Sequence, residues 1–276
     1  MNEYQHYLNG EYVTEDKLLV SPRDLGFTRS FAVFTKIKTC NGRPFKLKEH
    51  LLRLLKSARL INLEHVYDLD KLTKIVNETF DRNNDGKEKT FKIMLSGGVS
   101  DFMYQSAEAT LIIIVDLSKP RKAEIYTEGV KVNLVKFTRY IPEAKSTNYI
   151  EGVRQTKIGI KNGAFEPVFY SDKQVYEGSN SNIFAIKNNK IYTPKNDVYL
   201  GILRGVLLED LKDKLKIIEK DFDLDFLLNA DEVFITGSGK EIVPVVKADD
   251  YIIGDGKVGE ITKLVIKEFR EFLKSF

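Results

Sequence analysis

Cysteine is almost missing from this chain: among 276 residues only Cys40 is present, so no internal disulfide can form. That scarcity suits a reducing compartment. Histidine is also sparse. His6, His50 and His65 lack the spacing of a metal-ligand set, so no metal is expected. Long apolar runs are absent as well. The longest aliphatic stretch, Leu111 to Val115, is far too short to span a bilayer. The opening MNEYQHYLNGEYV has no signal-peptide apolar core. Nor does one charge dominate. With 43 Lys+Arg against 40 Asp+Glu the net charge is +3, which leaves no electrostatic footprint for nucleic acid or membrane. What remains is ordinary for a soluble globular chain, 42% hydrophobic and 30% charged, long enough for one large or two ordinary cores. A cytoplasmic enzyme is the expectation.

Along the chain, residues 4–13 alternate around Asn9-Gly10, a hairpin signal. A β-rich segment, 31–39, turns at Asn41-Gly42, and leucines at helical spacing mark 47–60 as an amphipathic helix. A second helix is expected over 68–80, with strands at 90–95 and 110–116. Ser118-Lys119-Pro120-Arg121-Lys122 is the one composition shift that reads as a linker. It divides the chain into an N-terminal domain, 1–118, a linker, 119–124, and a C-terminal domain, 125–276. Beyond it, strands are expected at 130–137, 167–171, 182–187, 190–193, 231–236 and 242–246. Helices are expected at 149–162, 204–215 and 258–274. Strands mixed with helices through hairpin-type turns give an α+β class, not a strict βαβ series. There is no internal repeat and no low-complexity tract.

Three stretches carry candidate chemistry. Lys145-Ser146-Thr147-Asn148-Tyr149 follows a strand and a breaker, Ile141-Pro142, and leads into a helical pattern. The positive end of a helix N-terminus lowers the pKa of a nearby lysine. A lysine able to lose its proton can form Schiff bases with carbonyl compounds. Taken alone, Lys145 reads equally as one surface lysine among many. Downstream, Glu177-Gly178-Ser179-Asn180-Ser181-Asn182-Ile183-Phe184 puts an acid before a small-residue turn and a new strand. Upstream, His50 and Arg53 share the leucine-rich helix, where Arg53 alone would be an exposed helix arginine.

Together these stretches resemble the class IV (fold type IV) pyridoxal-phosphate enzymes: branched-chain aminotransferases, D-amino-acid aminotransferases and aminodeoxychorismate lyases. The Lys-x-x-Asn-Tyr, Glu-Gly-x-x-x-Asn-hydrophobic-Phe and His-x-x-Arg-Leu stretches occur in the family's order, and the resemblance covers essentially the whole chain. It implies a smaller α/β N-terminal domain and a larger β-rich C-terminal domain, with pyridoxal 5'-phosphate at their interface. By the same resemblance Lys145 bonds the cofactor aldehyde and moves the α-proton. Glu177 faces the ring nitrogen, Tyr149 the ring hydroxyl and Arg53 the phosphate. The turn Gly201-Ile202-Leu203-Arg204 would offer amides of Ile202 and Leu203 to the phosphate, since helix N-termini bind anions. The family usually has Thr where Leu203 stands, so a hydroxyl contact is lost. The small-residue turn Thr236-Gly237-Ser238-Gly239 would bring Ser238 to the phosphate and the Gly239 amide towards substrate. His50 would support the Arg53 helix.

The member of the family is set by fewer residues. Phe34-Thr35 stands where many members have an aromatic–acid pair, Arg29 is new to the first loop, and Lys92 puts a cation on a strand that can line the pocket. Arginine clamps a carboxylate with two bonds, whereas lysine meets it as a point charge. Arg29, Phe34, Lys92 and Gly239 are therefore the candidate substrate residues, and the expected reaction moves amino groups between D-amino acids and 2-oxo acids. An L-branched-chain aminotransferase is the alternative. Aminodeoxychorismate lyase ranks third, because such lyases show a second Thr where Lys36 stands. The family commonly forms homodimers, which would let Arg29 serve the neighbouring subunit.

Overall fold

The structure, a computed structural model, describes residues 4–276; residues 1–3, where the polar N-terminus begins, lie outside the described residues. The fold is α+β, and the chain forms two compact units. One holds the residues up to Lys119, the segment Glu143–Asn148 and Phe276; the other holds Pro120–Pro142 and Tyr149–Ser275. A single cut near Ser118 assigns Lys145 to the second half of the chain, whereas its segment packs into the first unit. Backbone pairing explains the difference, as described below.

In the first unit the Asn9-Gly10 turn joins β1 (His6–Leu8) to β2 (Glu11–Val13). Both turn residues have positive φ, 48° and 106°, which Asn and Gly adopt at least cost. A short helix follows, α1 (Leu25–Arg29), capped by the Asp24 carboxylate on the Gly26 amide. Next come β3 (Ala32–Cys40), β4 (Arg43–Pro44), α2 (Leu47–Leu60), α3 (Leu69–Arg82), β5 (Lys89–Ser96) and β6 (Thr110–Leu117). The sheet order is β2-β1-β6-β5-β3-β4. Helix α3 buries Leu72, Ile75, Val76 and Thr79, the i, i+3, i+4, i+7 stripe of an amphipathic helix. Leu72, Ile75 and Val76 join Leu51, Leu54 and Ala58 of α2 over Val33, Ile37, Phe91 and Ile93 of the sheet. By strand alternation Phe34, Lys36, Lys92 and Met94 stand on the opposite face.

The second unit runs α4 (Glu124–Thr127), β7 (Val130–Lys136), α5 (Ile150–Lys161), β8 (Glu166–Tyr170), β9 (Val175–Gly178), β10 (Ser181–Lys187) and β11 (Lys190–Thr193). It continues with α6 (Ile202–Gly205), β12 (Ile217–Glu219), α7 (Leu224–Leu228), β13 (Glu232–Gly237), β14 (Glu241–Ala248), β15 (Tyr251–Ile252) and α8 (Glu260–Ser275). The run β10-β13-β14-β7-β8-β9 closes on itself, because β9 also pairs with β10. Closure removes the free edges that such a sheet would otherwise expose. Its interior is aliphatic: Val132, Val168, Ile183, Ile235 and Val243 are buried together. Among the described residues no helix is long and apolar enough to cross a membrane.

One element differs from its sequence pattern. The helix expected over 204–215 starts earlier, at Ile202, and winds from Val206 to Asp210 as a π-turn. Buried Arg204 gives the reason. Its guanidinium reaches the Pro194 carbonyl at 3.0 Å and the Glu219 carboxylate at 2.5 Å, so the first turn is tied to β12 and the following one is widened.

Candidate active site

The first unit supplies Lys145, and the sheet edge holds it. The Phe34 amide donates to the Lys145 carbonyl at 2.9 Å, and the Thr147 amide donates to the Ala32 carbonyl at 2.9 Å. The segment thus lies along the edge of β3, and Ser57 of α2 accepts the Lys145 amide at 3.1 Å. The sequence pattern points to a helix N-terminus as what tunes this lysine. The structure begins that helix at Ile150, with Tyr149 as its N-cap, a few residues past Lys145 in the chain. The Lys145 Nζ lies 4.9 Å from the Phe34 ring centroid, and its charge, with that of Arg53, acts on His50.

Arg53 is oriented by a buried polar pair. Its Nη2 donates to Thr35 Oγ1 at 3.2 Å and to His50 Nδ1 at 3.3 Å. A guanidinium has no acceptor, so the Nδ1 it addresses carries no proton. The Thr35 hydroxyl, 2.7 Å from the same nitrogen, is then free to donate to it. Burial, reinforced by Arg53 and Lys145, pushes His50 well below the usual histidine range and keeps it neutral. Thr35 stands where many family members have an acid, so at this position Arg53 meets a hydroxyl.

The second unit supplies the carboxylate and the phenol. Glu177 is buried, and its oxygens take the Arg139 Nε at 2.8 Å and the Tyr199 amide at 3.0 Å. The Arg139 guanidinium also lies 4.9 Å over the Tyr149 ring and bonds the Ser179 carbonyl. Burial pushes the Tyr149 phenol up, against the pull of Arg139, so its O–H stays a donor at neutral pH. A cavity of about 530 Å³ opens beside Tyr149 and Ser179, along α5.

The Glu-Gly-x-x-x-Asn stretch is also a clamp. Asn182 donates to the Tyr199 carbonyl at 2.6 Å and accepts the Gly201 amide at 3.1 Å. It fixes the turn before α6, whose first amides have no intrahelical partner. Ile202 and Leu203 stand at that turn, with the Leu203 side chain buried in the core. On the next strand Thr236 pairs with Asn182, and its buried hydroxyl has no hydrogen-bond partner among the described residues. Ser238 and Gly239 follow in a turn closed by the Lys240 amide on the Gly237 carbonyl at 2.9 Å. Arg121 takes the Gly239 carbonyl at 3.3 Å, and buried Lys240 anchors the turn to Glu166.

Substitution of Gly201 tests the clamp. A Cβ there would strike Asn182 Oδ1. Gly201→Ala is expected to destabilise the protein by about 1–3 kcal/mol and to speed cofactor loss. Adding Asn182→Ala, which removes the obstructing oxygen, should recover part of that stability, so melting of both single variants and the double one reads the coupling.

The donor set suits pyridoxal phosphate. The first unit contributes a lysine and an arginine, and the second a buried carboxylate, a protonated phenol and a turn of amides beside an unpartnered hydroxyl; these are the donor types that its polar handles need. Sequence reading missed Arg139 and, in the turn Thr236-Gly237-Ser238-Gly239, singled out Ser238 and not Thr236. Arg139 has no local signal: it is one of 43 basic residues, and only the fold puts it on Glu177. Of the candidate substrate residues, Lys92 stands 5.5 Å from the Phe34 ring centroid, on the ring that Lys145 also approaches. Arg29 is exposed; its Nε lies 3.3 Å from Met103 Sδ and its Nη1 bonds the Thr28 carbonyl at 2.9 Å.

Comparison with known proteins points to one family. The family model described as amino-transferase class IV matches residues 32–248. A D-alanine aminotransferase of Staphylococcus aureus (strain N315) is 32% identical over 277 residues, covering 98% of each chain. A Methanocaldococcus jannaschii protein, provisionally named a branched-chain-amino-acid aminotransferase, is 31% identical, covering 96% of this chain and 95% of its own. Among solved structures, the branched-chain amino acid aminotransferase of Escherichia coli has the same fold, with a TM-score of 0.90 at 23% identity over 98% of this chain and 95% of that one.

Proposed function

The chain belongs to the class IV aminotransferases and is a pyridoxal-phosphate-dependent enzyme acting on amino and 2-oxo acids, and from that premise we propose that its amino acids are of the D series. When bound, the cofactor supplies an aldehyde that captures the amino group and a ring that accepts electrons from the α-carbon. With the cofactor bound, Lys145 Nζ would hold the aldehyde at rest and would serve as the general base that takes and returns the α-proton. Glu177 would answer the ring nitrogen and keep a proton there. Tyr149 would donate its O–H to the ring hydroxyl oxygen. Arg53 would serve the phosphate from the first unit, and the amides of Ile202 and Leu203 and the hydroxyl of Ser238 would serve it from the second. Two half-reactions through one amine carrier give ping-pong kinetics.

The observation that supports the D series is Lys92, whose ammonium stands 5.5 Å from the centroid of the Phe34 ring that Lys145 also approaches, and so offers a cation to a carboxylate. The D-alanine aminotransferase relatives support the same reading. The second reading is an L-branched-chain aminotransferase, favoured by the archaeal relative. A homodimer accompanies the proposal, with Arg29 and Gly239 completing the substrate site, Arg29 from the second copy.

Mixing the yellow holoenzyme with single enantiomers of alanine, glutamate and leucine tests this directly. Loss of the visible band with D-enantiomers alone is the expected result. Loss with L-leucine and L-glutamate moves the assignment to the branched-chain type.

A further inference from the structure

The turn that carries Ser238 is fastened by a side chain pointing inward. Gly239 is exposed, yet Lys240 next to it is buried, and its ammonium pairs with the carboxylate of buried Glu166 on β8. The same ammonium lies 5.4 Å from the Phe165 ring centroid. Burial pushes the Lys240 ammonium down, against the pull of Glu166. The other Glu166 oxygen takes the hydroxyl of Ser181, which opens β10 just past Glu177. One buried carboxylate therefore ties the turn between β13 and β14 to the turn between β9 and β10. The two turns also touch through backbone: a Cβ on Gly237 would lie 3.0 Å from the Asn180 carbonyl oxygen. From outside, the Tyr126 O–H donates to the Lys240 carbonyl at 3.1 Å.

A buried ion pair adds little to stability, because desolvating both charges offsets most of their attraction, and neutral groups of similar volume often serve the fold as well. What the pair adds is direction, since the ammonium must meet its carboxylate at one place. We infer that Lys240 is a positioning residue: through Glu166 it fixes the turn carrying Ser238 against the turn that follows Glu177. The group assigned to the cofactor's phosphate and the group assigned to its ring nitrogen then keep a set spacing. This rests on the assignment of Ser238 to the phosphate.

The test is equilibrium dialysis of the full chain loaded with pyridoxal 5'-phosphate and, separately, with pyridoxal. The aldehyde and the ring are common to both, so the ratio of dissociation constants isolates the phosphate. Lys240→Met alone strands the Glu166 carboxylate in the core and should melt early. The deciding variant is therefore Lys240→Met/Glu166→Gln, which removes one charge of each sign and keeps an acceptor for Ser181. Its melting temperature is expected to stay close to that of the unaltered protein. Its preference for the phosphorylated ligand is expected to fall about tenfold, the effect of one hydrogen bond to a charged group. Ser238→Ala should lower the same preference by a similar factor and add little in the double variant. A double variant that keeps the preference, or that loses both ligands alike, overturns the inference and leaves the pair a part of the core. If the double variant loses the preference and Ser238→Ala does not, Lys240 still positions the turn, and the assignment of Ser238 to the phosphate fails.

Discussion

Lys145→Ala is expected to erase the visible absorption of the bound cofactor and to slow transamination by about 10⁴-fold, the upper range for loss of a positioned acid–base group. One nitrogen serves two purposes here, so both readouts move together. The fold should survive, because Lys145 enters the structure through its backbone: its carbonyl accepts from Phe34 and its amide donates to Ser57. Alanine keeps both groups. Cofactor should remain bound through the groups assigned to its phosphate, so a colour change without loss of phosphorus is the signature. A small primary amine added to the variant should restore part of the turnover, since it brings back a base without the tether. Persistence of the yellow band in the variant would remove Lys145 from this role.

Glu177→Gln is the second large effect. Glutamine keeps an oxygen for the Tyr199 amide or for Arg139, but it removes the negative charge. Proton removal from substrate is expected to slow by about 10²-fold or more, with cofactor retained. The structure adds a cost that the sequence does not reveal: Arg139 is left with its charge unanswered in a largely buried position. Removing one partner of a buried ion pair costs about 3–5 kcal/mol, and the retained amide softens that figure. Melting is therefore measured beside the half-reaction. A lowered melting temperature with an unchanged rate would mean that the Glu177–Arg139 pair is architectural and that another group governs the ring nitrogen.

How much of this was legible beforehand follows from the range of each signal. The hairpin at Asn9-Gly10 and the helices α2, α3 and α8 announce themselves through local periodicity and turn chemistry, and the structure has them within a few residues. Strand β9 does not: Val175–Gly178 is only four residues, wholly buried, and gains strand character from pairing with β8 and β10. The start of α6 at Ile202 lies two residues before the expected helix, and Arg204, buried on Glu219, ties it there through a contact that is distant in sequence. Thr236 depends on register, and a one-residue slip would turn it to the other face, while Arg139 lies beyond the end of β7 and meets Glu177 only through the fold. The family motifs led to Lys145, Glu177 and Arg53, while the partners that tune them come from elsewhere in the chain.

The seam at which the second unit's sheet closes has a consequence for redesign. Closure is made by Ser181 against Gly178 and Asn182 against Glu177. A Cβ on Gly178 would strike Ser181 and Glu166, so this seam admits almost no variation. The residues assigned to the cofactor's ring nitrogen and to its turn are thus the residues that shut the barrel. Evolution or a protein engineer seeking a new substrate has little freedom there. Side chains at 34, 36 and 92 project from the sheet face opposite the one that packs on α2 and α3, where a change of size or charge leaves backbone pairing intact. New specificities should accumulate on that face, while the seam stays fixed.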